Sequence, residues 1–123
     1  MAVARLIYGG VLERHPELVL IVAHGGGALV PLLDRLVRNQ ALGLASTDVD
    51  VMASVRRLFW DSVVLDPEYL GYVAAKVGAD RLLLGSDHPF SWEPDPVATV
   101  AAALPPEDVT WVVGRTAQAL FGL

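Results

Sequence analysis

Two stretches of this 123-residue chain end an apolar run with a side chain able to hold a metal or move a proton. In the first, Leu18-Val19-Leu20-Ile21-Val22-Ala23 runs into His24 and then Gly25-Gly26-Gly27. In the second, Leu82-Leu83-Leu84 stops at Gly85-Ser86, and Asp87, His88, Pro89 and Phe90 follow. An imidazole titrating near neutrality suits acid–base work, and an ionised carboxylate can coordinate a divalent cation or orient water. His24 is therefore the candidate proton carrier, and Asp87 is the candidate catalytic carboxylate and metal ligand. From its local sequence Asp87 serves equally well as a loop cap. Three consecutive glycines are a costly way merely to turn a chain, whereas they let backbone N–H groups come close to a ligand. His88 would line the same site by adjacency, and Arg35 could hold a substrate carboxylate in its planar fork or stand as a solvated helix residue. Asp61 either points into the site or caps a turn. His15 reads as structural and Asp34 as surface; Trp60, Phe90 and Trp92 read as packing residues.

Side chains at the ends of apolar runs need parallel strands behind them. Runs without polar alternation belong to strands buried on both faces, as in the sheet or barrel of an α/β protein. The periodicity predicts a helix over 3–14, a strand over 17–23 and a helix over 28–42 with Leu29, Leu32, Leu33 and Leu36 on one face. Ser46-Thr47-Asp48 is expected to cap a short helix over 49–57. Strands follow over 58–65 and 81–84, separated by a helix that starts at Asp66-Pro67, runs to Lys76 and closes at Gly78. After a loop over 86–95, Asp95-Pro96 opens another helix, and Pro105-Pro106 separates it from a last helical stretch over 107–121. Alternation of this kind implies right-handed βαβ units and an α/β fold. Three strands, however, leave two open sheet edges.

By length this is a single domain, 1–123, and it is short of the roughly 250 residues of a (β/α)8 barrel. Hydrophobic residues make up 54% of the chain and the mean hydropathy is +0.47. Both are high for so small a unit, so some faces are expected to be buried against something outside the chain. A net charge of −5 with no basic block argues against nucleic acid. The absence of cysteine excludes disulfides and thiolate metal sites. The first residues show no basic region followed by a long apolar run, and no apolar stretch approaches a membrane span. The expectation is a cytoplasmic protein with no membrane partner.

Four segments resemble the amidohydrolase-related family, metal-dependent (β/α)8 enzymes that include aminocarboxymuconate-semialdehyde decarboxylase and other decarboxylases and hydratases. Residues 9–18, Gly-Gly-Val-Leu-Glu-Arg-His-Pro-Glu-Leu, are similar to its GGVxERxPxL passage. His24-Gly25-Gly26-Gly27 is similar to the HGGG that follows its sixth strand, residues 59–67 to its seventh-strand YxDxxxxDP, and residues 84–90 to LGSDYPF after its eighth. The resemblance runs in order along nearly the whole chain. It implies the carboxyl-terminal portion of the barrel, about three βα units carrying strands 6–8.

By this resemblance Asp87 is the metal-ligand aspartate and His24 the active-site proton carrier. Arg35 is an arginine that engages the substrate carboxylate, sometimes from a neighbouring subunit. His88 stands where tyrosine is common, and Thr116 replaces a usual asparagine. The family's H-x-H pair and fifth-strand histidine have no counterpart, since His15, His24 and His88 are the only histidines. A catalytic zinc takes three protein ligands. The chain is thus expected to be part of a decarboxylase or hydrolase acting on a small carboxylate. Its divalent metal, zinc by preference, would be weakly bound or absent in this chain alone. Its partner would be the missing barrel half or another copy of itself. The competing expectation is a non-catalytic α/β module that uses the same elements for packing or partner binding.

Overall fold

The computed structural model describes residues 2–43, 48–92 and 94–123. In it three short parallel strands, β1 (Ile21–Val22), β2 (Phe59–Asp61) and β3 (Leu82–Leu83), lie side by side in chain order. Ile21 stands opposite Phe59, Trp60 opposite both Val22 and Leu82, and Asp61 opposite Leu83. Parallel neighbours require a crossover. Helices α3 (Leu29–Ala41) and α4 (Val51–Arg57) supply the first, and α5 (Pro67–Val77) supplies the second. Helices α1 (Ala2–Tyr8) and α2 (Val11–Arg14) precede the sheet; α6 (Pro96–Ala103), α7 (Pro106–Thr110) and α8 (Thr116–Phe121) follow it. The α/β order and parallel sheet expected from the sequence are present.

Capping carboxylates start α4, α5 and α6. Asp66 accepts from the N–H groups of Glu68 and Tyr69, and Asp95 accepts from Ala98, each just ahead of a proline at the first helical position. The cap of α4 differs from expectation. Asp50 accepts from the Ala53 N–H at 2.9 Å and the helix begins at Val51, not Val49. Asp48 is too far upstream for that amide, and Ser46 and Thr47 lie outside the described residues. The helix expected over 3–14 is divided because Gly10 turns left-handed at φ 63°, a conformation suited to glycine.

The strands are shorter than the apolar runs that carry them. After Asp61 the side chain of that residue accepts the Val63 N–H, and the Ser62 carbonyl accepts the Val64 N–H, so the chain turns instead of extending the ladder. Strand β1 is a sheet edge, and burial on both faces does not hold for it: Val19 and Ile21 are 49% and 48% exposed. An apolar run records what a strand can tolerate being covered by, not what covers it in this chain.

The core lies between the sheet and its helices. Leu58, Trp60 and Leu82 are fully buried and pack with Leu70 and Val73 of α5, Val30 and Leu33 of α3, and Ile7 and Leu12 of the amino-terminal helices. Trp60 is thus a core residue, as read. Arg57 ties α4 to the end of α2 by donating to the carbonyls of Leu12 and Pro16, and Ser54 donates to Glu13 at 2.7 Å.

The stretch expected as a last helix is continuous but not uniform. A wider π turn over Trp111–Arg115 joins α7 to α8. There the Thr116 N–H reaches the Trp111 carbonyl, one residue further back than in an α-helix. The carbonyl of Val112 is released and accepts the Leu84 N–H just past β3, at 2.9 Å. Among the described residues, no helix is long and apolar enough to cross a membrane.

Leu82 is fully buried at the middle of this packing, so Leu82→Ala should lower the unfolding free energy by about 2–5 kcal/mol in urea titrations. Removing the exposed Lys76–Asp34 pair by Lys76→Ala should cost less than about 1 kcal/mol.

Candidate functional site

Beyond the carboxyl ends of the three strands opens a hollow of about 410 Å3, lined by His24, Gly27, Val63, Val64, Leu65, Tyr69, Asp87 and Trp92. Its floor is organised by Asp61, the last residue of β2. One carboxylate oxygen, Oδ1, accepts both the Gly25 N–H at 3.0 Å and the Val63 N–H at 3.1 Å. The turn after β1 is thereby tied to the turn after β2. Asp61 caps turns, the second of the two roles left open by the sequence.

Three of the glycines at the strand ends are dictated by contact. A Cβ on Gly25 would lie 2.3 Å from Val64 Cγ1, and one on Gly26 would lie 2.3 Å from the buried Trp60 ring. A Cβ on Gly85 would lie 2.7 Å from Val63 Cγ2. Gly85 also donates its N–H to the buried Ser62 hydroxyl, which joins the turn after β3 to the same floor. Side chains of any size would push the three strand ends apart.

Above this floor the functional groups are held from the side. The Tyr69 hydroxyl donates to the Gly27 carbonyl at 2.7 Å and so clamps the glycine turn to the first turn of α5. Burial, with the neighbouring Tyr72 phenol second, pushes the Tyr69 hydroxyl above its ordinary value, and it remains a donor at neutral pH. The Trp92 indole N–H donates to Asp87 Oδ2 at 3.0 Å, and Phe90 stacks on Trp92 with ring centroids 4.8 Å apart.

The backbone is strained where it meets the hollow. Among the described residues, three other than glycine adopt a left-handed conformation: His24 (φ 56°), Leu65 (φ 59°) and Asp87 (φ 56°). All three line the hollow, one beyond each strand. Such a conformation costs an L-residue roughly 1–2 kcal/mol and characteristically persists at functional sites.

His24 and Asp87, read separately from the sequence, are thus brought to one mouth, His24 exposed and Asp87 half-buried. Arg35 is exposed on α3 and His88 is exposed beside Asp87; neither lines the hollow. Sequence reasoning did not single out Tyr69 or Leu65 and read Trp92 as packing. Tyr69 carried a usable signal, since the Asp66-Pro67 cap places it in the first turn of the helix after a strand. Leu65 carried none, because nothing in its neighbours announces a left-handed leucine.

No group of three or more histidine, aspartate or glutamate side chains able to hold a metal occurs among the described residues. His24 and Asp87 are two donors where a catalytic zinc takes three.

A model of the amidohydrolase family matches residues 2–123. The chain belongs to the amidohydrolase family. It is 29% identical over 94 residues to the 2-amino-3-carboxymuconate-6-semialdehyde decarboxylase of Dictyostelium discoideum, a match covering 73% of this chain and 26% of that protein. With the Caenorhabditis elegans enzyme of the same name it shares 33% identity over 93 residues, covering 72% of this chain and 23% of the other. The chain therefore spans about a quarter of the length of these relatives. Among solved structures, 5-carboxyvanillate decarboxylase from Sphingomonas paucimobilis superposes with a TM-score of 0.83 at 21% identity, over 98% of this chain and 38% of that one. The corresponding enzyme of Novosphingobium aromaticivorans, complexed with manganese, gives a TM-score of 0.82 at 22% identity, again over 98% and 38%. At these identities the superpositions establish a shared fold.

The double acceptor role of Asp61 is the feature of this amidohydrolase segment most open to test. Asp61→Ala should destabilise the chain by about 1–3 kcal/mol in urea unfolding, since two amides lose their partner. It should also speed hydrogen exchange at Gly25 selectively over the helical amides of α5.

Proposed function

We propose that this chain is the carboxyl-terminal sector, strands 6–8, of a metal-dependent decarboxylase barrel, and that its hollow is the matching sector of the active site. The observation that carries the reading is the convergence of His24 and Asp87, from two different strand ends, on one hollow in a member of the amidohydrolase family. The decarboxylases among its relatives favour loss of carbon dioxide over hydrolysis.

The substrate is then a small carboxylate. Departure of carbon dioxide leaves an electron pair on carbon that must take up a proton, and His24, exposed at the mouth, is the group placed to deliver it. Asp87 is one donor to a divalent cation whose other ligands come from outside this chain. Zinc suits a histidine–carboxylate donor set, and manganese is the metal in the Novosphingobium aromaticivorans structure. Arg35 lies off the hollow of its own chain, so its fork would serve a carboxylate in the site of an adjoining subunit. His88 would stand at the rim. The remaining barrel units, or further copies of this chain, would cover the outer side of β1, where Leu18, Val19 and Ile21 are exposed. The cysteine-free chain suits the cytoplasm.

The 123-residue chain should retain well under one equivalent of divalent metal after gel filtration, measured by atomic emission. A full equivalent surviving brief chelation would show that ligands are shared in a way this reading does not provide.

In an assembly that contains the complete barrel, His24→Ala should lower turnover by about 10²–10⁴-fold with most metal retained. Asp87→Ala should lower both metal content and turnover, and Arg35→Lys should raise KM for the carboxylate. If neither His24→Ala nor Asp87→Ala changes metal or rate, the segment is a packing module and not part of an active site.

A further inference from the structure

Gly27 is the one glycine of the turn after β1 that crowding does not explain, since a Cβ there would meet nothing within 4 Å. Its backbone, at φ 53° and ψ −129°, lies in a region that glycine enters freely and other residues avoid. Both polar groups of Gly27 are engaged. Its N–H donates to the His24 carbonyl at 2.8 Å, and its carbonyl accepts the Tyr69 hydroxyl at 2.7 Å. Tyr69 therefore stands two hydrogen bonds from His24, which is held left-handed at φ 56° in the same turn. Asp61 grips the middle of that turn at the Gly25 N–H, and Tyr69 grips its far end. The tyrosine is itself anchored: its own N–H donates to the Asp66 cap at 3.3 Å, and its ring stacks on Tyr72 with centroids 6.0 Å apart. His24, Gly27 and Tyr69 all line the hollow. A phenol whose proton goes to a main-chain carbonyl acts through that main chain.

We infer that Tyr69 is a positioning residue for His24: its hydroxyl holds the glycine turn in the shape that keeps the imidazole at the hollow. The inference rests on the reading of His24 as the proton carrier. The three-bond coupling between the amide and α protons of His24 depends on φ, and nuclear magnetic resonance reads it in the 123-residue chain without metal or substrate. Tyr69→Phe should shift that coupling while leaving those of Leu65 and Asp87 unchanged, and should speed hydrogen exchange at the Gly27 amide about tenfold. Gly27→Ala, which denies the carbonyl its orientation, should shift the His24 coupling equally, and the double variant no further. Tyr72→Phe keeps the stacked ring and should change neither coupling nor exchange. In an assembly that contains the complete barrel, Tyr69→Phe should lower kcat about 10–10²-fold with KM and metal content unchanged, on the same carboxylate used for His24→Ala.

An unaltered His24 coupling in Tyr69→Phe overturns the inference, as does an altered coupling with unchanged kcat. Global unfolding of Tyr69→Phe, seen as collapse of the signals of the buried Leu82 and Val73, would make the tyrosine a packing residue and overturn it too. If His24→Ala lowers turnover and Tyr69→Phe does not, this inference fails alone and the reading of the hollow stands. If His24→Ala leaves turnover intact, that reading fails and takes the inference with it.

Discussion

A single carboxylate oxygen governs the geometry at the carboxyl ends of this molecule's strands. Asp61 closes β2, and its Oδ1 receives one amide from the turn after β1 and another from the turn after β2. Shared acceptance of this kind fixes two loops relative to each other and not only to the sheet. The crowding at Gly25, Gly26 and Gly85 follows from that closeness, because the loops are drawn in until no Cβ fits. His24 directly precedes one of these glycines and Asp87 follows another by two positions. Their placement is inherited in part from the floor, with the Gly27 amide on the His24 carbonyl, the Phe90 amide on the Asp87 carbonyl and the Trp92 indole on the Asp87 carboxylate added to it.

The parts of this arrangement that were legible in the sequence are those with a one-dimensional signature. Apolar runs stopped by His24-Gly25-Gly26-Gly27 and by Gly85-Ser86-Asp87 announced strand ends with chemistry on them. Asp-Pro pairs announced the starts of α5 and α6. Strand length was not legible, because the apolarity of 18–23 runs on either side of the two residues, Ile21 and Val22, that form β1. What shortens β2 is a side-chain bond from Asp61, which no periodicity encodes. The cap of α4 was misplaced for a similar reason: Asp48 and Asp50 are chemically identical, and only the helix start decides between them. Leu65 shows the limit most clearly, since a positive φ at leucine is imposed by the surroundings and leaves no mark in composition.

The surface of the sheet edge is consistent in its chemistry with the proposed placement in a larger barrel. A parallel strand whose residues are all apolar, yet half-exposed at Val19 and Ile21, has a chemistry suited to neighbours on both sides. The donor count at the hollow fits the same picture. Two metal-type side chains, His24 and Asp87, line it together.

The π turn at Trp111–Arg115 bears on the order in which this segment can fold. By lengthening one helical step it frees the Val112 carbonyl to meet the Leu84 amide. On a ribosome, β3 emerges well before Val112, so that amide must wait on water until the final helices are made. The strand edge is completed by a contact distant in sequence, and such contacts form late because loop closure precedes any gain from them. The carboxyl-terminal helices are in this sense the last part of the sheet to be synthesised. A chain ending before Val112 would keep its strand-edge amide bare, the form in which nascent sheets most readily pair with the wrong neighbour.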